Sequence, residues 1–267
     1  MRYADQLRAT FSGLQLGLDD LPAIEPHDLA TLADRVPPRA FAAVLHAHPV
    51  LRESLLAKAP GLAAFIEQVL VEHDPVRDEA ELAELAGDLV WEIADLIVYA
   101  KHPEIYDRRT DSGWDFSEIT AVESIAGKMV IDAGAGTGRL AFAAALEAKL
   151  VLAVEPGVAM RRFIGEKAAR EGIKNVVPIE GFLHAIPVPD NFVDALITAH
   201  AIGWNLEAEL QEIERVVKPG GFSVHLTGFP FDEANPIHDA VTGAPWHYQT
   251  AAYRETTGVK RKYWKRK

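Results

Sequence analysis

The sequence predicts an α/β chain: a mostly parallel sheet flanked by helices, preceded by an all-α region. Three observations carry this. From residue 128 onward, short apolar runs alternate with segments of helical period, the pattern of strand–helix–strand units. The first of these runs, Met129-Val130-Ile131, ends in a turn with three glycines on alternate residues, Gly134, Gly136 and Gly138, before a helical pattern starting at Leu140. The residues before about 120 instead show apolar positions at three- and four-residue steps between prolines, a helical reading throughout.

The 267 residues suffice for a sizeable core, and with 49% of them apolar the chain is not of disordered composition. No apolar run approaches the roughly 20 residues needed to span a bilayer. The first residues, Met1 to Gln6, lack the apolar core of a secretion signal. There is no cysteine, hence no disulfide framework and no thiolate metal site, and a cytoplasmic enzyme is expected. The net charge of −12 disfavours nonspecific binding to nucleic acid. Lys260, Arg261, Lys262, Lys265, Arg266 and Lys267 put six of the 27 basic residues into the last ten positions. Such a tail reads as a solvated end or a protected edge strand before it reads as an RNA-binding arm.

In the helical region Tyr3, Leu7, Phe11 and Leu14 mark one helix face. Further helices are expected over 27–35, 38–47, 49–58 and 61–72, with Pro38, Pro49 and Pro60 near their starts, where a missing N–H costs little. Ala86 to Tyr99 is the strongest helical stretch. His46 and His48, two apart on a helix, face different ways and do not make a metal pair. A boundary between residues 1–110 and 111–267 is expected, the first part serving as a lid, a substrate wall or a dimerisation surface. In the lead-in, Trp114 and Phe116 read equally as a pocket roof and as anchors of the linker.

In the second part the glycines of the turn let a ligand lie against backbone, and the amides opening the next helix can bind an anionic group. Asp132 puts a carboxyl beside this turn. A dinucleotide turn has the spacing G-x-G-x-x-G, but Arg139 stands where its last glycine would be. The pattern Asp132-x-Gly134-x-Gly136-x-Gly138 instead resembles the first motif of class I S-adenosylmethionine-dependent methyltransferases. Downstream features keep that family's order. The strand Leu150–Val154 ends at Glu155-Pro156-Gly157, an acid placed to accept both ribose hydroxyls. The strand from Val176 leads to Gly181-Phe182-Leu183-His184 and Pro187, similar to the family's adenine loop, with Phe182 where an aspartate is usual. The strand Val193–Thr198 runs into Ala199-His200, and the helix from Leu206 ends before Lys218-Pro219-Gly220-Gly221. The match covers about residues 102–228.

The resemblance implies a Rossmann-like, mostly parallel seven-stranded sheet closed by an antiparallel hairpin, and S-adenosylmethionine as cofactor. It places Asp132, Gly134, Ala135, Gly136, Gly138, Glu155, Pro156, Gly181, Phe182, Ala199, Tyr106 and Arg108, or Arg109 beside it, at the cofactor. Phe182 would pack on the adenine with its backbone N–H at the ring edge, while Glu180 or His184 supplies a polar contact. His200 is the candidate catalytic base. Trp204, His184 and Trp246 are the candidate substrate contacts. The methyl group would pass by direct displacement to a small-molecule acceptor, so alignment rather than acid–base chemistry would dominate. The lack of cysteine speaks against C5-pyrimidine methylation. No Asn-Pro-Pro-Tyr segment occurs, which speaks against amide-nitrogen methylation, and no acidic residue at 198–200 offers a catechol-type metal site. A noncatalytic S-adenosylmethionine-binding regulator, and more remotely an NAD(P)-dependent oxidoreductase, remain as alternative readings. From residue 235 a helix to 241, a helix or substrate loop at 246–253 and a strand at 258–264 are expected.

Overall fold

The computed structural model describes residues 3–108 and 113–267. Two compact units result, Met1–Tyr106 and Asp107–Lys267. The boundary expected at 110/111 and the candidate Arg109 lie outside the described residues.

The first unit is built of helices α1 (Tyr3–Thr10), α2 (Pro38–Ala47), α3 (Pro49–Lys58), α4 (Ala63–Glu72), α5 (Glu79–Glu92) and α6 (Ala94–Lys101), with shorter turns between them. Prolines stand at the first positions of α2 and α3, where the missing N–H has no intrahelical acceptor. The Asp78 side chain caps α5 by accepting the Glu81 N–H. Phe41, Leu45, Leu55, Ile66 and Ile97 are buried together as the core. The stretch expected as one helix over 86–99 is two, because Ile93 leaves helical geometry at φ −118° and ψ 17°. Leu89, Ile93 and Ile97 nonetheless enter the same core, so the apolar spacing carries no trace of the break. His46 spends Nε2 on the His73 carbonyl at 2.9 Å. No cluster of metal-ligating side chains occurs among the described residues.

The second unit holds a seven-stranded sheet in the order β3-β2-β1-β4-β5-β7-β6. Its strands are β1 (Met129–Ala133), β2 (Leu150–Val154), β3 (Val176–Ile179), β4 (Val193–Ala199), β5 (Val217–Pro230), β6 (Gln249–Glu255) and β7 (Gly258–Arg266). The first five run parallel, and β7 is antiparallel to both β5 and β6. Helices α7 (Arg139–Ala144), α8 (Val158–Glu171) and α9 (Leu206–Val216) connect the parallel strands, and a short α10 (His238–Thr242) precedes β6. Alternate strand residues enter opposite cores. Val130, Val151, Ala195 and Val224 pack on one face, and Ile131, Leu196 and Tyr263 on the other, where Ile213 of α9 covers them. A sheet covered on both faces explains why its strands read as unbroken apolar runs.

Three expectations change. Residues 249–255 are a strand, not a helix or loop. The segment Lys218–Gly221 is drawn into β5 as an irregularity that shifts its register against β4. The basic segment is not a solvated end or an edge: β7 lies between β5 and β6, and its charges are neutralised internally. Lys262 is buried with Nζ 2.7 Å from Glu118 Oε2, Lys265 pairs with Glu214 at 3.2 Å, and Lys267 donates to the Val217 carbonyl at 2.8 Å. No helix among the described residues is long and apolar enough to cross a membrane.

Gly221 marks the tightest point of the β5 irregularity. A Cβ there would lie 2.7 Å from the Asp194 carbonyl oxygen and 2.8 Å from Val217 Cγ1. Gly221→Ala is therefore expected to destabilise the protein by about 2–3 kcal/mol. Gly165→Ala, inside α8 with only Pro178 Cγ at 3.9 Å, is expected to stabilise it by about 0.5–1 kcal/mol. Urea denaturation of the two variants measures both signs.

Candidate functional site

The turn after β1 is cross-tied to the tip of β2. Gly134 and Ala135 donate their N–H groups to the Val154 carbonyl at 2.9 and 3.1 Å. Glu155, the residue after β2, accepts the Gly136 N–H on Oε2 at 2.8 Å and the Gly157 N–H on Oε1 at 2.7 Å. Register places the ends of the two strands side by side, Ala133 against Val154. Gly134 combines a φ of +71° with a close approach, since a Cβ on it would lie 2.4 Å from Ala201 Cβ. Only glycine satisfies both conditions at this position.

Asp132 and Glu155 are each 1% exposed. Burial pushes the Asp132 carboxyl up to about 8, the Ala141 amide opposes this, and the neighbouring Glu155 charge adds to it. Asp132 Oδ2 has no hydrogen-bond partner. Asp132 is thus a mostly neutral acid beneath the turn at neutral pH rather than a carboxylate lining an open pocket. Pro156 contributes its carbonyl to the Arg161 guanidinium, which also bonds the Glu155 carbonyl at 2.9 Å.

In the loop after β3, Gly181 fits where a Cβ would meet Pro187 Cδ at 2.9 Å and Val154 Cγ1 at 3.0 Å. The Phe182 ring is exposed and stacks on His184, with centroids 5.2 Å apart. The Phe182 N–H donates to the Ala185 carbonyl at 3.3 Å. This corrects the expected N–H contact to a base edge and leaves the ring face as what Phe182 presents. Glu180 is paired with Arg161 at 2.9 Å. Tyr106 belongs to the first unit, where it meets Tyr99 edge-on at 5.1 Å. Arg108 is exposed. Trp114 and Phe116 pack on the sheet's core, so they anchor the lead-in.

Beyond β4, half-buried Ala199 leads into a loop that walls a cavity of about 680 Å³. His200, Ile202, Trp204, Leu206, Phe229 and Ile237 line it. The loop is held by Glu209, whose buried carboxylate accepts the N–H groups of Gly203, Trp204 and Asn205 at 2.7, 3.0 and 2.8 Å. His200 adopts φ +58°, costly for a residue with a Cβ, and donates its N–H to the Leu226 carbonyl at 2.8 Å. Its Nε2 lies 3.2 Å from Glu255 Oε2 and 3.5 Å from the Tyr253 hydroxyl. Glu255 and Tyr253 were not singled out in the sequence. Their signal was the alternation that puts residues 253 and 255 on one face of a strand.

His184 and Trp246 do not line the cavity. His184 stacks on Phe182, and Trp246 packs on the core under the Lys265 ammonium, 5.9 Å from its ring centroid. His225 is fully buried, with Nδ1 3.0 Å from Thr198 Oγ1, and burial pushes it down to about 3. It is a neutral structural group.

A parallel sheet closed by an antiparallel pair, a glycine turn at β1 and an acid at the tip of β2 define the class I methyltransferase type of domain. Residues 130–221 match the family described as "Methyltransferase domain". The chain is 27% identical over 129 residues to the "Uncharacterized protein YafE" of Escherichia coli K12, covering 48% of this chain and 59% of that one. It is 35% identical over 97 residues to an uncharacterized methyltransferase of Mycobacterium bovis, covering 36% of this chain and 38% of that one. The chain thus spans less than two thirds of either relative. A solved S-adenosylmethionine-dependent methyltransferase from Aquifex aeolicus aligns with a TM-score of 0.47 at 19% identity, over 57% of this chain and 88% of that one.

The raised Asp132 value gives a test of its burial. A carboxyl held above its unfolded value contributes stability at low pH that is lost as pH rises, here from about 4 to about 8. Asp132→Asn, which cannot ionise, is expected to flatten that decline by a few kcal/mol. Urea unfolding of both proteins across this range measures it, and equal slopes would place the titration elsewhere.

Proposed function

We propose that this protein transfers a methyl group from S-adenosylmethionine to a small-molecule acceptor. The observation that carries the reading is the loop after β4. Its Ala201 methyl abuts Gly134 in the β1 turn, while His200 and Ile202 on either side line the cavity. One loop therefore borders both a nucleoside-type turn and a cavity of a size suited to a small ligand.

The residues present fit the cofactor. The turn offers backbone without side chains at Gly134 and Gly136, with Ala135 between them, and Glu155 stands at the adjacent strand tip. Glu155 would hold the ribose hydroxyls, the exposed Phe182 ring would cover the adenine, and Ala199 would border the sulfur end. Glu155 is nearly inaccessible and already bonded to two amides, so engaging a sugar requires the turn or the Ala201 loop to shift. When bound, S-adenosylmethionine supplies an electrophilic methyl group on a sulfonium. The protein's contribution is then to fix the acceptor's approach and exclude water, and such alignment is worth up to about 7–11 kcal/mol.

S-adenosylhomocysteine is expected to raise the melting temperature and NAD to leave it unchanged; stabilisation by NAD alone would move the chain to the oxidoreductases. Glu155→Ala is expected to weaken S-adenosylhomocysteine binding about tenfold to a hundredfold by calorimetry while the protein stays folded. Methylation of a panel of small acceptors separates an enzyme from a silent binder.

A further inference from the structure

We propose that the cavity beside β4 receives a flat, apolar molecule carrying a phenol-type hydroxyl, and that His200, positioned by Glu255, removes the proton of that hydroxyl. The proposal rests on the methyl-transfer reading for its use and names the acceptor class of that same site.

The lining disfavours charged acceptors. Ile202, Leu206, Phe229 and Ile237 are apolar, the Trp204 indole is 76% exposed at the rim, and His200 is the one titratable side chain around the cavity among the described residues. Among the described residues no Asp, Glu, Lys or Arg lines it. An ammonium or a carboxylate group placed here would lose its hydration without gaining a counter-charge. A neutral ring with one hydroxyl loses little, and it gains a stacking partner in Trp204.

The tautomer of His200 follows from what surrounds it. The Glu255 side chain is fully buried, and neither of its oxygens has a hydrogen-bond partner among the described residues. The imidazole Nε2, 3.2 Å away, is the one basic side-chain group within ion-pair range of it among the described residues. We assign the hydrogen to Nε2, which lies between the Glu255 carboxyl and the Tyr253 hydroxyl oxygen. Tyr253 agrees, since its hydroxyl donates to the Thr227 carbonyl at 2.8 Å and turns its oxygen toward Nε2. The lone pair is left on Nδ1. That edge of the ring faces Gly228, where a Cβ would lie 3.9 Å from Nδ1, and Gly228 itself lines the cavity. The glycine leaves the basic nitrogen uncovered toward the space a ligand would fill.

The proton-transfer step is balanced within the site. The ligand's O–H bond breaks, its electron pair stays on oxygen, and a new N–H bond forms at Nδ1. The resulting imidazolium lies against the Glu255 carboxylate. A phenol, with a pKa of about 10, is within reach of an imidazole, whereas an aliphatic alcohol is far too weak an acid. His200 is held in a left-handed backbone conformation, and strain of this kind concentrates at functional positions.

4-Nitrophenol tests this on the full-length protein, because its phenolate absorbs visible light and its phenol form does not. Equilibrium dialysis measures binding, and absorbance below the probe's own midpoint reads its protonation. The bound phenolate fraction is expected to exceed that of free probe several-fold. His200→Asn, a residue that tolerates the left-handed conformation, and Glu255→Gln are expected to lose that excess while retaining binding within about threefold and cooperative melting. Gly228→Val is expected to lose binding. Absence of probe binding, a probe that stays protonated, an undiminished phenolate signal in His200→Asn, or tighter binding of 4-nitrobenzylamine would each overturn the proposal. S-adenosylhomocysteine binding, measured separately, reports on the methyl-transfer reading alone, so the two failures are distinguishable.

Discussion

One carboxylate fastens the two strand tips on which the second unit's site is built. Glu155 bonds Gly136 in the turn after β1 and Gly157 at the start of the β2–α8 connection. Charge-assisted hydrogen bonds of this type are shorter and stronger than neutral ones, and here they satisfy amides that precede two helices. The sheet holds the tips side by side through the pairing of Ala133 with Val154. Without that register the same carboxylate would have nothing to tie.

A second carboxyl close by behaves in the opposite way. Asp132 is as buried as Glu155, yet burial and the charge on Glu155 keep its proton on at neutral pH. Two acids at one sheet edge thus divide into an anion that organises backbone and a neutral group that packs beneath it. The same contrast recurs among the histidines, where His225 is sealed between strands and His200 stands at a cavity wall. Position in the fold, not residue type, separates the structural members of each pair from those available to a ligand.

Much of the parallel half was legible because its signals are local. The glycine turn, the acid after β2 and the stop at Gly172, which adopts φ +69° at the end of α8, each depend on a few adjacent residues. The seven-stranded sheet follows from the alternation of elements and from the family resemblance they support. What escaped depends on distant contacts. Tyr253 and Glu255 acquire meaning only when β6 pairs with β7, which brings Glu255 to His200, 55 positions upstream by number. His184 and Trp246 were singled out for their chemistry, but one stacks on Phe182 and the other packs on the core. The break at Ile93 left the apolar spacing untouched and so left no mark.

The insertion of β7 between β5 and β6 places the C-terminal hairpin beside the parallel half. The segment matched by the family, residues 130–221, ends before the hairpin that brings Glu255 to His200. On the proposed reading, donor recognition rests on the parallel half, while acceptor choice depends on the hairpin. Substitutions in that hairpin would then alter the acceptor side while leaving the glycine turn and Glu155 intact.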